Sequence, residues 1–462
     1  MKIKIQNLGV LKQAEFTLAD LTIICGGNNT GKTYATYALF GFLSTWEQIL
    51  TIDVDDKIQQ LLSEGVIRIE IQEYIKQTQQ IVAKGCQAYT EELPTIFAAT
   101  PERFKKTKFD IIVDTNNINL KTQFEHQIMF PGVELFSLNK NDDSTELVVV
   151  LLVEQEKVKI PTEVLNHFIT EALKEIIFSQ LFPKPFIASA ERTGAAIFRK
   201  ELDFTRNRLL KKIGQADYRI NPREILFRGY QDYPLPVEEN VEFTRELETI
   251  SKQRSFLYND YPEVLNDFAD IIGGEYTVTP SDQLYYMPKQ GKRPPKLSML
   301  ESSSAVRSLL DIGFYLKHEA QPGDLLMVDE PELNLHPENQ RRVARLFARL
   351  INLGIKVFIT THSDYIIKEL NTLIMLNHDK PHLKRIAEEE GYQKEELISA
   401  EKIKVYIAEE KLMQPKGYKR KIKCPTFTLA NIDPEMGIEA RSFDTTIEEM
   451  NRIQEAIAWG ED

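Results

Sequence analysis

Only three cysteines occur in the 462 residues, Cys25, Cys86 and Cys424. They lie too far apart to form a disulfide framework or a thiolate metal site, so a reducing compartment is expected. The seven histidines form no HNH-nuclease grouping. There is no run of about 18 apolar residues, the length a membrane-spanning helix needs. The first residues, MKIKIQNLGV, lack the apolar segment of a secretory signal. Internal repeats and low-complexity tracts are missing as well. A cytoplasmic chain with no membrane partner is the expectation.

What is present suits a large folded core. Hydrophobic residues make up 42% and charged residues 27% of the chain, which is ordinary for a globular protein. The formal net charge of -12 argues against a surface that coats nucleic acid through its overall field. Two local basic runs, KQGKRPPK (289–296) and KGYKRKIK (416–423), keep a nucleic-acid partner possible.

Apolar patterning gives the organisation. Residues 3–5, 14–16 and 21–25 predict three strands, with LTIIC the most apolar and central. A helix is expected over 31–46. Residues 47–100 carry apolar residues at helical spacing, whereas 108–155 return to strand-like runs such as DIIVD and ELVVVLLVE. A helix fits 162–181, and a strand leads into IASAERTG (187–194). Residues 195–270 are charged and helical in pattern, and read as an insertion between two halves of one core. From 297 to 375 helix and strand alternate, as in a parallel sheet covered by helices. The stretch 376–462 mixes helical patterns with short strands. The expected division is thus 1–194 with a helical insertion near 47–100, 195–270 as a second insertion, 271–375 as the C-terminal half, and 376–462 completing the core or binding a partner.

The sharpest motif is GGNNTGKT (26–33), a G-x4-G-K-[ST] loop lying between an apolar strand and an amphipathic helix. Glycines Gly26 and Gly31 allow a tight turn whose N–H groups point at phosphate oxygens, with Asn28, Asn29 and Thr30 between them. The following helix adds its positive end. Lys32 supplies a mobile cation, and the Thr33 hydroxyl can ligate Mg²⁺. Cys25 beside the loop reads as a small buried residue.

A second segment, DLLMVDEPELNLHP (324–337), begins with a buried strand and ends it on Asp329 and Glu330. Ligands of open α/β sheets bind at such strand ends. Asp329 is placed to hold Mg²⁺ and Glu330 to orient an attacking water. One helix later, a strand ends in Thr361, His362 and Ser363, where His362 can donate to a γ-phosphate. Upstream, Ser302, Ser303 and Ser304 precede a helix and suggest another phosphate-contacting element.

Together these pieces resemble the ABC-type ATPase heads of SMC and RecF-like proteins, and look most like the bacterial AAA-15/AAA-21 group related to OLD-family ATPases. The resemblance implies an α/β ABC-type P-loop NTPase head with a mixed sheet, flanking helices and helical insertions. It implies ATP and Mg²⁺ as ligands, Glu330 and His362 as catalytic residues, and PELNLHP as the D-loop. Ser302–Ser304 stand where the family's signature motif sits, without the glycine of the transporter form. Hydrolysis would then need a second copy, in a homodimer or larger assembly. Glu191 and Arg192 in SAERTG match a recurring stretch, with a structural or nucleotide-sensing role implied. The architecture further resembles ATPase subunits of anti-phage defence systems of the PARIS and Septu types, which implies an effector protein encoded nearby. A RecF-like ATPase in DNA maintenance is the alternative, and an ATP-controlled scaffold a third.

Overall fold

The computed structural model describes residues 1–116, 118–120, 123–130, 133–142, 144–153, 160–199, 233–280, 282–289, 295–415, 420–435, 437–438 and 441–459. Parts of the expected 195–270 insertion and of both basic runs lie outside the described residues. The chain divides into two compact units. One comprises 1–4, 42–92 and 107–184, the other 5–41, 93–106 and 185–462.

The first unit is built on an antiparallel sheet in the order Val66–Glu70, Glu146–Leu151, Val133–Lys140, Phe124–Phe130. Its first strand corrects the helical expectation for 47–100. The helix Asp55–Glu64 stops at Gly65, whose φ of 75° makes it a left-handed cap donating to Leu61 O. The next five residues, VIRIE, alternate between solvent and core, burying Ile67 and Ile69. Period-two patterning therefore wins over the helical spacing around it. Phe42 anchors an aromatic core against Tyr89, Phe109 and Phe182, with ring centroids 5.5, 5.7 and 5.3 Å away.

The second unit carries a six-stranded mixed sheet. Its strands are β1 (Leu21–Gly26), β2 (Pro185–Ala188), β3 (Leu325–Asp329), β4 (Lys356–Thr361), β5 (Ile403–Met413) and β6 (Ile422–Leu429). The spatial order is β6-β5-β1-β4-β3-β2. All pairs are parallel except β5–β6. Every residue of β1 and β3 is buried, which explains their continuous apolar sequences: both faces of a central parallel strand are covered. The α/β class expected from the alternating pattern is the class found.

Two features were not expected. Strands β5 and β6 are long, and β5 lies directly beside β1, pairing Ile403 with Leu21 through Ala408 with Gly26. The last quarter of the chain thus walls the P-loop strand. At the opposite edge, β2 is closed by a side chain. Asn240 accepts from Ser189 N–H at 2.7 Å and donates to Ile187 O, satisfying backbone groups that an edge strand leaves open.

The helices that matter for the site are α1 (Lys32–Ile49), α2 (Arg192–Ile197), α3 (Leu235–Arg245, which carries Asn240), α4 (Ser304–Ser308) and α5 (Leu310–Phe314). Among the described residues no helix is long and apolar enough to cross a membrane.

Candidate functional site

The parallel register brings the C-terminal ends of β1, β4 and β3 level, with Asp329 beside Thr360 and Thr361 beside Cys25. Residues from positions 26–33, 329–332 and 361–362 meet there. The loop after β1 needs its glycines. Gly26 has φ 139° and Gly31 φ 95°. A Cβ on Gly26 would lie 2.4 Å from Ala408 O, and one on Gly31 would lie 2.6 Å from the Leu11 side chain. Thr30 Oγ1 donates to Gly27 O at 2.9 Å and closes the turn. Gly27, Asn28, Asn29 and Thr33 are exposed, so the mouth of the loop is open.

Lys32 is buried, with Nζ donating to Gly26 O at 3.0 Å and Gly27 O at 2.8 Å. Burial pushes its pKa down, while Glu330, Asp329 and Glu332 oppose that shift. Asp329 is buried. It accepts from the Thr360 hydroxyl on Oδ1 and from the Thr33 hydroxyl, 3.4 Å away, on Oδ2. Burial holds its carboxyl above the usual range, against the Thr360 bond.

Glu330 and His362 form a pair, with Nε2 2.8 Å from Oε1. His362 Nδ1 lies 2.7 Å from Gly26 O. Nε2 faces the Glu330 carboxylate, whereas Nδ1 faces both the Gly26 carbonyl and, at 3.5 Å, the Lys32 ammonium. The hydrogen bond to Glu330 raises the His362 pKa, and the same bond lowers that of Glu330. His362 is thus engaged with Glu330 and the loop carbonyl, and donation to a phosphate would require exchanging one of these contacts.

Several groups at the site have no assigned task in the sequence, where Glu191 and Arg192 show only as part of a recurring stretch. Glu332, half-buried, accepts from His362 N–H at 2.6 Å and from Thr361 Oγ1 at 2.9 Å, which fixes the backbone of the histidine. Burial raises its pKa first, and those bonds oppose the rise. Thr360 serves both Asp329 and Glu330, whose N–H donates to Thr360 O at 3.0 Å. Polar threonines at the end of an otherwise apolar strand were the available clue. Tyr37 donates to Glu191 Oε2 at 3.1 Å. Arg192 is 1% exposed and donates to four backbone carbonyls: Ser308, Ser189, Asp329 and Glu330.

The three serines separate. Ser302 is buried and its hydroxyl donates to Met299 O at 2.8 Å. Ser303 caps α4, accepting from Val306 N–H at 3.3 Å. Ser303 and Ser304 are exposed, so these two, and not Ser302, can meet another molecule. Burial pushes the Cys25 thiol up to about 12, which leaves it an inert wall of the site.

The donor set fits Mg²⁺. Thr33 and Asp329 offer hard oxygens facing each other. Among the described residues no group of three or more His, Cys, Asp or Glu is placed to hold a metal. A small octahedral ion that keeps waters and phosphate oxygens as ligands matches so sparse a set. Of the described residues of the basic runs, Lys423 pairs with Glu410 at 2.9 Å and Lys289 pairs with Asp270, Lys296 stands over the Tyr285 ring, and Arg420 and Lys421 are exposed. Residues 290–294 and 416–419 of those runs lie outside the described residues.

A family profile described as AAA ATPase domain, AAA_15, matches residues 1–367. No curated protein matches the chain. Among solved structures, the chain is similar to an SMC head bound to the C-winged helix domain of ScpA, at 12% identity over 92% of this chain and 97% of that one, with a TM-score of 0.31. It is similar to an SMC head domain from Thermotoga maritima, at 10% identity, 92% and 97% coverage and a TM-score of 0.28. A third is an Smc head with an extended coiled coil bound to the C-terminal domain of ScpA, derived from Pyrococcus furiosus, at 11% identity, 98% coverage of both chains and a TM-score of 0.30. At such TM-scores these likenesses carry no argument about this chain.

Proposed function

The chain belongs to the AAA ATPase domain family, and from that premise we propose that it binds ATP with Mg²⁺ and hydrolyses it at the Lys32–Asp329–Glu330–His362 cluster. The observation that carries the reading is the convergence of these groups, some three hundred residues apart in sequence, at adjacent strand ends.

The backbone N–H groups of residues 26–33 and the start of α1 receive the phosphates. Lys32 moves from the Gly26 and Gly27 carbonyls to the β and γ phosphates. Thr33 and Asp329 would hold a Mg²⁺ ion, which would spread the charge of the phosphate oxygens. Glu330 stays ionised, because the hydrogen bond from His362 keeps its pKa low. A weak base of this kind suits orienting a water better than removing its proton early, and a loose phosphoryl-transfer transition state asks for little more. The water's oxygen bonds to the γ-phosphorus as the bond to the ADP oxygen breaks, and the water's proton leaves with inorganic phosphate.

Turnover is expected to need a second copy of the chain, in a dimer or larger assembly. Support comes from the exposure of Gly27, Asn28, Asn29, Ser303 and Ser304. These would close over the nucleotide only against another head, and closing excludes bulk water. In this reading the subunit scaffolds or controls a separate effector in an anti-phage defence complex, as its motif resemblance implies. For the RecF-like alternative of a DNA-binding head, Lys289 and Lys423 of the basic runs are engaged by carboxylates, whereas Arg420 and Lys421 are exposed.

The test is ATP turnover per chain across a dilution series, with assembly followed by light scattering. Specific activity should rise with assembly. Activity constant from monomer to assembly would remove the dimer requirement, and absence of ATP binding would remove the whole reading. Co-purification of a neighbouring gene product, with and without ATP, tests the effector.

A further inference from the structure

Arg192 has the chemistry of an anion-binding residue and the environment of a structural one. Its guanidinium is buried and meets only carbonyl oxygens. Nε donates to Ser308 O at 2.6 Å, Nη1 to Ser189 O at 2.8 Å and to Asp329 O at 2.7 Å, and Nη2 to Glu330 O at 2.8 Å. A planar fork with five donors is the one side chain able to bind carbonyls from three segments at once.

Two of those carbonyls flank the peptide that aims Glu330. Glu330 has φ 52°, a left-handed conformation that a side chain with a Cβ rarely adopts and that the surroundings must enforce. Its N–H is held by Thr360 O at 3.0 Å. Its C=O is held by Arg192. The third carbonyl, Ser308 O, belongs to the last residue of α4, the helix that Ser303 caps. A second tie runs in parallel from the Ser308 hydroxyl, which is shared between Leu333 O at 3.1 Å and Ala305 O at 3.0 Å.

We propose that Arg192 is a positioning residue that links α4 to the backbone of Glu330, so that displacement of the exposed serine turn re-aims the carboxylate. This rests on the ATPase reading of the site. It adds that the head's own serine turn, which faces outward, governs its own water-orienting residue. Contact made by a second copy at Ser303 and Ser304 is thereby transmitted to Glu330 through two backbone carbonyls and one guanidinium.

The experiment compares the full chain with Arg192→Lys and Arg192→Gln. Arg192 donates to no residue of 26–33, so Mg²⁺–ATP affinity by titration calorimetry should stay within about threefold of the unaltered chain. kcat should fall by at least about fiftyfold, and Lys should restore little, since one ammonium cannot span Ser308 O and Glu330 O. In the double variant Arg192→Lys with Glu330→Gln, kcat should be no lower than in Glu330→Gln alone, because one residue acts through the other. Additive losses, or an unchanged kcat in Arg192→Gln, would overturn the proposal while leaving the ATPase reading in place. A folded Arg192→Lys chain that loses ATP binding would overturn it too. If both Arg192 variants fail to fold, Ser308→Ala, which removes the parallel tie together with the hydroxyl's contact to Ala305 O inside α4, must lower kcat severalfold at unchanged affinity, and an unaltered kcat there overturns the proposal. No ATP binding by the unaltered chain would remove both readings together.

Discussion

Replacing Glu330 by Gln separates binding from chemistry. The side chain keeps its size and its place at the end of β3, but loses its charge and with it a charged acceptor to orient the attacking water. In the structure that carboxylate is paired with His362 at 2.8 Å, both side chains being about three-tenths exposed. It also supports the charge of the buried Lys32. Loss of a carboxylate that orients the attacking water is expected to cost about 10²–10⁴ in rate, or roughly 3–5 kcal/mol of barrier. Binding should move the other way. One negative charge beside the triphosphate disappears, while Lys32 and the N–H groups of the loop remain, so affinity should hold or tighten by about two- to fivefold, a gain of at most about 1 kcal/mol. Single-turnover hydrolysis of labelled ATP gives the rate, and calorimetry gives the dissociation constant. Wild-type turnover in Glu330→Gln would refute the assignment of the carboxylate. A large loss of affinity would refute the claim that it stands beside the phosphates without holding them.

Lys32→Ala removes the buried cation that rests on Gly26 O and Gly27 O. ATP affinity should fall by at least about a hundredfold, the scale of two charge-assisted hydrogen bonds to phosphate, and retained affinity in a titration would contradict the phosphate role. Asn240→Ala leaves Ser189 N–H and Ile187 O without their partner at the edge of β2. It should cost about 2–4 kcal/mol in urea unfolding, and a loss below about 0.5 kcal/mol would show that water replaces the side chain. Asp311 is buried on α5, with Oδ2 lacking a hydrogen-bond partner among the described residues, and burial raises its carboxyl from 3.8 to about 7 against the opposing charge of Arg192. The folded chain then keeps a proton that the unfolded chain has already released. This contribution to stability is complete below pH 4, is lost as pH rises to 7, and is level above, with a total of about 4 kcal/mol. Asp311→Asn should flatten that slope in unfolding measured from pH 5 to 8, and an unchanged slope would place the proton elsewhere.

The readable part of this protein was its local chemistry. LTIIC followed by GGNNTGKT fixes strand, loop and helix within about fifteen residues, because glycine conformations and a helix start are short-range matters. VDE and TTHS are legible for the same reason: each is an apolar strand with a polar end. Order in space was not legible. Nothing in IKVYIAEEKLM says that it lies beside LTIIC, since pairing between strands nearly four hundred residues apart depends on everything folded between them. Val66–Glu70 was lost inside a helical pattern because five alternating residues weigh little against twenty with helical spacing. Arg192 showed as a motif without a task. Its partners are backbone carbonyls, which leave no trace in sequence, as do the left-handed Glu330 and the Asn240 edge cap.

Placing β5 against β1 has a consequence for biosynthesis. A ribosome releases the phosphate loop early and the strand that flanks it only after some four hundred codons. Until then Gly26 has no Ala408 carbonyl over it, and one margin of the LTIIC strand stays unsatisfied. The nascent polypeptide must shield that margin while it waits, so trigger-type chaperones or rapid translation through the middle of the message should matter more for this protein than for one whose nucleotide pocket closes within its first half.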